Sequence, residues 1–335
     1  MKKIIIGIHG LGNKPPKYLL TKWWKDAMIE GMKSEGINKR IPDFEMIYWA
    51  DILYDKPLNQ WEKDPENPYY LDEPYTTAPE SFEIEDYSFI EKVTAFISDQ
   101  LNKIFLNEDK TLNYSFLSDY ILKKYFRDLD IYYIEECNDK NDNYCKVRDL
   151  IRNRIAKAIN KYKDYEICII AHSMGSIVAY DVLNYIIPEK KINTLITIGS
   201  PLGLPVVVSK IAAEHNILHK GNDLMVTPPG VTSSWFNMAD IMDHVAINFK
   251  LADDFTPNER LVAPKDFLVQ NNYQINGIKN PHKSFGYLRT PEFSKTLSDF
   301  IGNETLNLGQ KVLRKVYEFL EKVKYQHEIL LDKLN

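Results

Sequence analysis

Ile169-Ile170-Ala171-His172-Ser173-Met174-Gly175 decides how this chain reads. An apolar run beginning at Ile167 leads without a break into small-x-Ser-x-Gly, and a helical pattern starts at Ser176. Such a run reads as a strand buried on both faces, as in parallel sheets. Strand, sharp turn and helix together push a serine hydroxyl out above a sheet at a helix N-terminus, the geometry of a nucleophile elbow. Ala171 and Gly175 are small enough to let the chain turn, although Ala171 stands where the motif has its first glycine.

The same alternation extends in both directions. Ile4-Ile5-Ile6-Gly7-Ile8 is a second buried run, ending at His9-Gly10-Leu11-Gly12-Asn13. Lys17 to Lys33 has helical spacing, with Leu19, Leu20, Trp23, Trp24, Met28 and Met32 on its apolar side. Pro42 breaks the chain before a strand over Phe44 to Ala50. Helices are expected over Arg148 to Lys163 and Ser176 to Ile187, and strands over Asn193 to Gly199, Ser234 to Ala239 and around Asp266 to Ile275. Strands alternating with helices give an α/β fold with a mostly parallel central sheet flanked by helices.

Asp51 to Tyr144 breaks that rhythm. Lys56 to Glu85 is rich in Pro, Glu, Asp and Tyr and reads as an irregular wrap; Ser88 to Leu106 and Leu112 to Tyr133 carry helical patterns. Leu308 to Leu334 reads as a long helix, with Val312, Val316, Phe319, Val323 and Leu330 near heptad positions. Packing across its own domain is the first reading of that helix, and homo-oligomer formation through it the second. The expected division is a core of 1–50 and 146–305, a helical cap insertion at 51–145 and a C-terminal helix at 306–335.

Composition removes several classes of function. With 42 basic against 47 acidic residues and a net charge of −5, the chain lacks the basic excess of a nucleic-acid-binding protein. Hydrophobic residues at 44% and charged residues at 27% exclude wholesale disorder. Three cysteines make no disulfide framework: Cys168 reads as core, and Cys137 and Cys145 share one polar loop, read first as reduced thiols in a reducing compartment and second as a pair. No transmembrane segment is expected. The apolar run before His9 is too short for a signal peptide, so the expected address is cytoplasmic. Gly10-Leu11-Gly12 after a first strand invites a dinucleotide-loop reading, but Pro15 occupies the third glycine position, and no acidic residue ends a strand about 20 residues on.

On these residues the sequence resembles the α/β-hydrolase superfamily, in particular its lipase and esterase branches. Ala-His-Ser-Met-Gly at 171–175 looks like the elbow of lipases and lipid acyltransferases, and His9-Gly10-Leu11-Gly12-Asn13 like their oxyanion loop. The resemblance covers about 1–50 and 146–305. It implies Ser173 as nucleophile and an oxyanion hole from the N–H groups of Leu11 and Met174, supported by His9, Gly10 and Gly12. The superfamily order is serine, acid, histidine. His282, in the turn-rich Asn280-Pro281-His282-Lys283-Ser284, lies where the family places its base. His244 comes too early, His327 lies in the terminal helix, and His215 and His219, four apart, read as a solvated helix face. Two carboxylates follow the strand ending near Ala239: Asp243, in Asp-x-Val spacing, is the expected acid and Asp240 the alternative.

The implied reaction is hydrolysis of a carboxylic ester, of a lipid or other acyl ester, through a Ser-His-Asp triad and an acyl-enzyme. It needs no metal and no cofactor. The alternatives are acyl transfer or thioester hydrolysis with the same triad, or a non-catalytic binding protein on the same fold.

Overall fold

The computed structural model describes residues 1–80, 132–133, 136–138, 144–219, 225–246 and 249–302, with positions 316, 323 and 326. Six strands form one sheet: β1 (Lys2–Ile8), β2 (Asp43–Ile47), β3 (Tyr165–His172), β4 (Ile192–Ile198), β5 (Val231–Ala239) and β6 (Pro264–Leu268). Their order is β6-β5-β4-β3-β1-β2, and every pairing is parallel. The α-helices delimited among the described residues are α1 (Lys17–Ser34), α2 (Val147–Asn160), α3 (Met174–Asp181), α4 (Pro205–His219), α5 (Ser284–Tyr287) and α6 (Pro291–Ile301).

Helices cover both faces, which is why β1 and β3 read as unbroken apolar runs instead of alternating ones. Ile4, Ile6 and Ile8 point to one face, where α2 supplies Ile151, Ile155 and Ile159 and α3 supplies Ile177 and Val178. Ile5, Cys168 and Ile170 point to the other, against Trp24, Ala27 and Met28 of α1 and Phe293 and Leu297 of α6. Each isoleucine, leucine, valine, phenylalanine or methionine among them taken fully out of water contributes about 1.5–3 kcal/mol.

The chain runs from β1 outward to β2, then returns across β1 to lay β3 on its far side and continues away through β4, β5 and β6. The strand order therefore reverses between β1 and β3. In open α/β sheets the crevice at the carboxyl ends of the strands at such a reversal is where ligands bind. The loop after β1 and the turn after β3 both open there.

Several elements end elsewhere than the sequence pattern suggested. The strand expected to reach Ala50 stops at Ile47, and Ala50–Ile52 is a single 3-10 turn. The N–H of Trp49 donates to His9 Nε2 at 3.0 Å and is not available to a ladder. The helix expected to start at Ser176 begins at Met174 and ends at Asp181, passing into a π turn over Val182–Ile186. The strand expected through Ile275 stops at Leu268, and Gln274–Ile275 pairs with Ile278–Lys279 in a separate ribbon. α4 opens with Pro205 at the first helical position that proline favours. Cys168 is buried, as expected of a core residue. Cys137 and Cys145 lie not in a loop but opposite each other in the backbone pairing of a ribbon, Glu136–Asn138 with Tyr144–Lys146.

The helices expected at Ser88 to Leu106 and over most of Leu112 to Tyr133, and the long C-terminal helix apart from positions 316, 323 and 326, lie outside the described residues. Tyr132 is described and buried. Its hydroxyl donates to the fully buried Asp181 at 2.5 Å, a carboxylate that Arg148 and Arg152 also bond, at 3.1 and 2.7 Å. That cluster ties the inserted region to α3. No helix among the described residues is long and apolar enough to cross a membrane.

Candidate active site

Ser173 sits at the reversal point, between the end of β3 and the start of α3, with φ 54° and ψ −131°. A non-glycine residue in that region costs about 1–3 kcal/mol and persists only where its surroundings hold it. The holding groups are adjacent: its N–H donates to the carbonyl of Ile198 at 3.1 Å, and its own carbonyl accepts from the Ser176 hydroxyl at 2.6 Å. Gly175 permits the turn, because a Cβ there would lie 2.6 Å from the carbonyl oxygens of both Ile8 and His9. The end of β1 and the first turn of α3 are therefore in direct backbone contact.

Ser173 Oγ lies 3.0 Å from His282 Nε2. His282 Nδ1 lies 2.9 and 3.0 Å from the two carboxylate oxygens of Asp243. Asp243 is fully buried, and its remaining capacity is filled by the N–H of Val245 at 2.9 Å and the hydroxyl of Tyr287 at 2.7 Å. Burial and the charge of Asp243 hold the Tyr287 phenol well above its ordinary value, so it remains a donor to that carboxylate. Asp240, the alternative acid, is engaged in bracing: it accepts the N–H of Met242 at 2.8 Å and of Asn271 at 2.6 Å. Asn271 in turn donates to the carbonyls of Pro281 and Lys283, both at 2.8 Å, and so grips the loop that carries His282.

His172 adds a contact that no local pattern announced. Its Nε2 lies 2.8 Å from the backbone carbonyl of His282, and the two rings are 4.9 Å apart. Burial, then the nearby His282, hold its pKa well below the ordinary histidine value, so it stays neutral and donates. The residue before the serine thus fixes the loop that brings the imidazole. The partners are 110 residues apart, which is why spacing could not reveal them.

The loop after β1 meets Ser173 from the other side. A Cβ on Gly10 would fall 2.6 Å from Ser173 Cβ and 3.0 Å from His172 Nδ1, so the loop backbone comes as close as a bare glycine allows. His9 is buried and neutral, its pKa lowered to about 3 by burial and by the charge of Lys14. Trp49 donates its N–H to His9 Nε2, which leaves the proton on Nδ1 to bond the Gly10 carbonyl at 2.9 Å. Trp49 also stacks on the His9 ring at 4.6 Å and donates Nε1–H to the His9 carbonyl at 3.1 Å. In a trans peptide the C=O and N–H point opposite ways, so pinning the Gly10 carbonyl fixes the direction of the Leu11 N–H. Lys14 caps the next turn, donating to the carbonyls of Leu11 and of Gly12, the latter at 3.1 Å. Met174 is the first residue of α3, where the backbone N–H groups of a helix have no partner within it.

Ser173, His282, Leu11 and Gly12 open on a cleft of about 680 Å³. Its walls are mainly apolar: Leu20 and Trp23 of α1, Phe285 of α5, Leu204, and Leu58 and Leu71 from the inserted segment. His244 also lines it, on the rim. His215 lies within α4, and His219 is its last residue. Among the described residues, no group of three or more His, Cys, Asp or Glu is placed to hold a metal ion. His327 lies outside the described residues.

Compared with known protein families, residues 140–225, the stretch from the end of the insertion through β3, α3, β4 and α4, are similar to a family described as the PGAP1-like alpha/beta domain. No curated protein and no solved structure matches the chain.

Proposed function

The chain has an α/β-hydrolase fold, and from that premise we propose that it is a serine hydrolase acting on carboxylic esters with an apolar acyl group. The observation that carries the reading is the hydrogen-bonded chain Asp243–His282–Ser173, at 2.9 and 3.0 Å, ending on a serine held at positive φ. The apolar walls of the cleft support the acyl part of the substrate.

Ser173 Oγ attacks the ester carbonyl, and its proton passes to His282 Nε2. Asp243 stabilises the imidazolium and keeps Nδ1 as the donor. The oxyanion is met by the N–H groups of Leu11 and Met174. The C–O bond then breaks, and His282 returns its proton to the leaving alkoxide. Water, deprotonated by the same imidazole, attacks the acyl-enzyme and releases the acid with Ser173 restored.

Labelling by a fluorophosphonate probe tests the reading, together with hydrolysis of p-nitrophenyl esters of increasing chain length. The expected result is labelling of the native chain, lost in Ser173→Ala and in His282→Ala, with hydrolysis lost in the same variants. Hydrolysis undiminished in Ser173→Ala would overturn it.

A further inference from the structure

The inserted segment reaches the base through one carboxylate. Glu73 Oε1 accepts from Asn280 Nδ2 at 2.5 Å, and Glu73 Oε2 accepts from Lys283 Nζ at 2.8 Å. Asn280 and Lys283 bracket His282, and Asn280 Oδ1 accepts the His282 N–H at 3.0 Å. One side chain, 207 residues before Asn280, thus closes the outer side of the loop whose inner side Asn271 grips. Glu73 also lines the cleft into which Ser173 and His282 open.

Glu73 is not a loose surface group. The residues after it are tied to the body: Tyr273 OH donates to the Pro74 carbonyl at 2.7 Å, Tyr75 OH to Glu30 at 2.6 Å, and Arg289 to the Thr76 carbonyl at 2.6 Å. Burial alone would raise its pKa. Lys283 and the bonds from Lys283 and Asn280 outweigh that and hold it below the ordinary range, so it is ionised wherever His282 could act as a base.

We propose that Glu73 is a positioning residue for His282, its carboxylate stapling Asn280 to Lys283 and so setting where the imidazole stands over Ser173. This rests on the serine-hydrolase reading above. Two consequences separate it from a merely structural ion pair. Loosening the loop misplaces Nε2 relative to Oγ, which costs rate and not substrate binding. It also alters the charge around the imidazole. The titratable groups around His282 are Asp243 at Nδ1, with Tyr287 behind it, the neutral His172 against its ring and Lys283 beside it in the chain; the same cleft is also lined by Lys14, Asp72, His244 and the neutral His9. Glu73 is the anion that offsets Lys283. Removing it leaves that cation uncompensated, which disfavours the imidazolium and moves the acid limb of the kcat/KM profile to lower pH.

The test uses the full chain with Glu73→Ala and the isosteric Glu73→Gln, measuring p-nitrophenyl ester hydrolysis from pH 5 to 9, with thermal unfolding as a check on the fold. Glu73→Ala is expected to lower kcat about 10–100-fold with KM nearly unchanged. The acid limb is expected to move down by about half a pH unit. Glu73→Gln, which keeps an acceptor for Asn280 but not the charge, is expected to show the pH shift with a smaller loss of kcat; it carries the test if Glu73→Ala fails to fold. An active native chain with kcat and acid limb unchanged in Glu73→Gln would overturn the proposal and leave the hydrolase reading standing. A native chain that neither labels at Ser173 nor hydrolyses any ester would overturn both.

Discussion

Replacing Gly10 with alanine measures how closely the loop after β1 must approach the serine. The added Cβ would lie 2.6 Å from Ser173 Cβ, 3.0 Å from His172 Nδ1 and 3.1 Å from the His172 carbonyl, where ordinary contact begins near 3.4 Å. The loop, or the elbow, must therefore give by about 0.8 Å. Neither side yields cheaply. Gly175 packs its backbone against the carbonyls of Ile8 and His9, and the His9 ring is wedged between the Gly10 carbonyl and Trp49. A misplacement of about 1 Å is enough to cost roughly 100-fold in rate, or about 2.7 kcal/mol of transition-state stabilisation. The oxyanion forms only on the way through the tetrahedral intermediate, so the loss should fall on kcat and leave KM nearly unchanged. Overpacking should cost about 1–3 kcal/mol in stability, which a urea titration reads separately. The assay is initial rates of p-nitrophenyl ester hydrolysis on Gly10→Ala and native protein, both shown folded. A kcat within about twofold of native would refute the argument that this loop serves the reaction by its proximity.

Asp243→Asn should lower kcat by roughly 10³–10⁴-fold with the fold intact. Asp240→Asn should instead lose about 1–3 kcal/mol of stability, because it weakens two buried acceptors, and keep kcat within about tenfold. Rates and urea midpoints on both variants check this, and the reverse pattern would exchange the two roles. His9 and His172 are held neutral by burial, so below an unfolded pKa near 6.5 the unfolded chain binds protons that the folded chain does not. Stability should rise with pH across that range and fall on acidification, by about 1.4 kcal/mol per pH unit for each histidine, for His9 down to about pH 3. Urea midpoints from pH 7 to 4 should therefore fall less steeply in His172→Gln, which keeps a donor toward the His282 carbonyl but does not titrate; an unchanged slope would refute the assignment.

The legible parts of this chain were those whose signals are local. The runs at Ile4–Ile8 and Ile167–Ile170 are continuous because helices cover both faces, and a pattern of that kind survives in a single sequence. Ser173, His282 and Asp243 could be named because each sits in a short stretch that resembles a part of the superfamily's pattern, and the structure brings the three side chains into contact. The choice between Asp243 and Asp240 was open for a physical reason: both follow the same strand, and both accept backbone N–H bonds two residues on. Only the direction taken by His282 separates them. What stayed hidden was carried by pairs far apart in sequence. The contact of His172 with the His282 carbonyl, the hydroxyl of Tyr287 on Asp243, and the reach of Glu73 to Asn280 leave no periodicity behind. The inserted segment carried no readable motif, because its contribution to the cleft is two leucines, Leu58 and Leu71, and two neighbouring carboxylates, Asp72 and Glu73.

The backbone of Ser173 has a consequence for what selection can do at this position. At φ 54° an alanine keeps the strain of the serine, and a glycine is free of it. Glycine is ordinarily the less stabilising of the two by about 0.5–1 kcal/mol within regular structure, but here the order should invert. Ser173→Gly should unfold at a higher urea concentration than Ser173→Ala, although neither can form an acyl-enzyme. If the proposed reaction is what this site performs, a version of the chain freed from it could thus gain stability at a residue that the reaction forbids it to change.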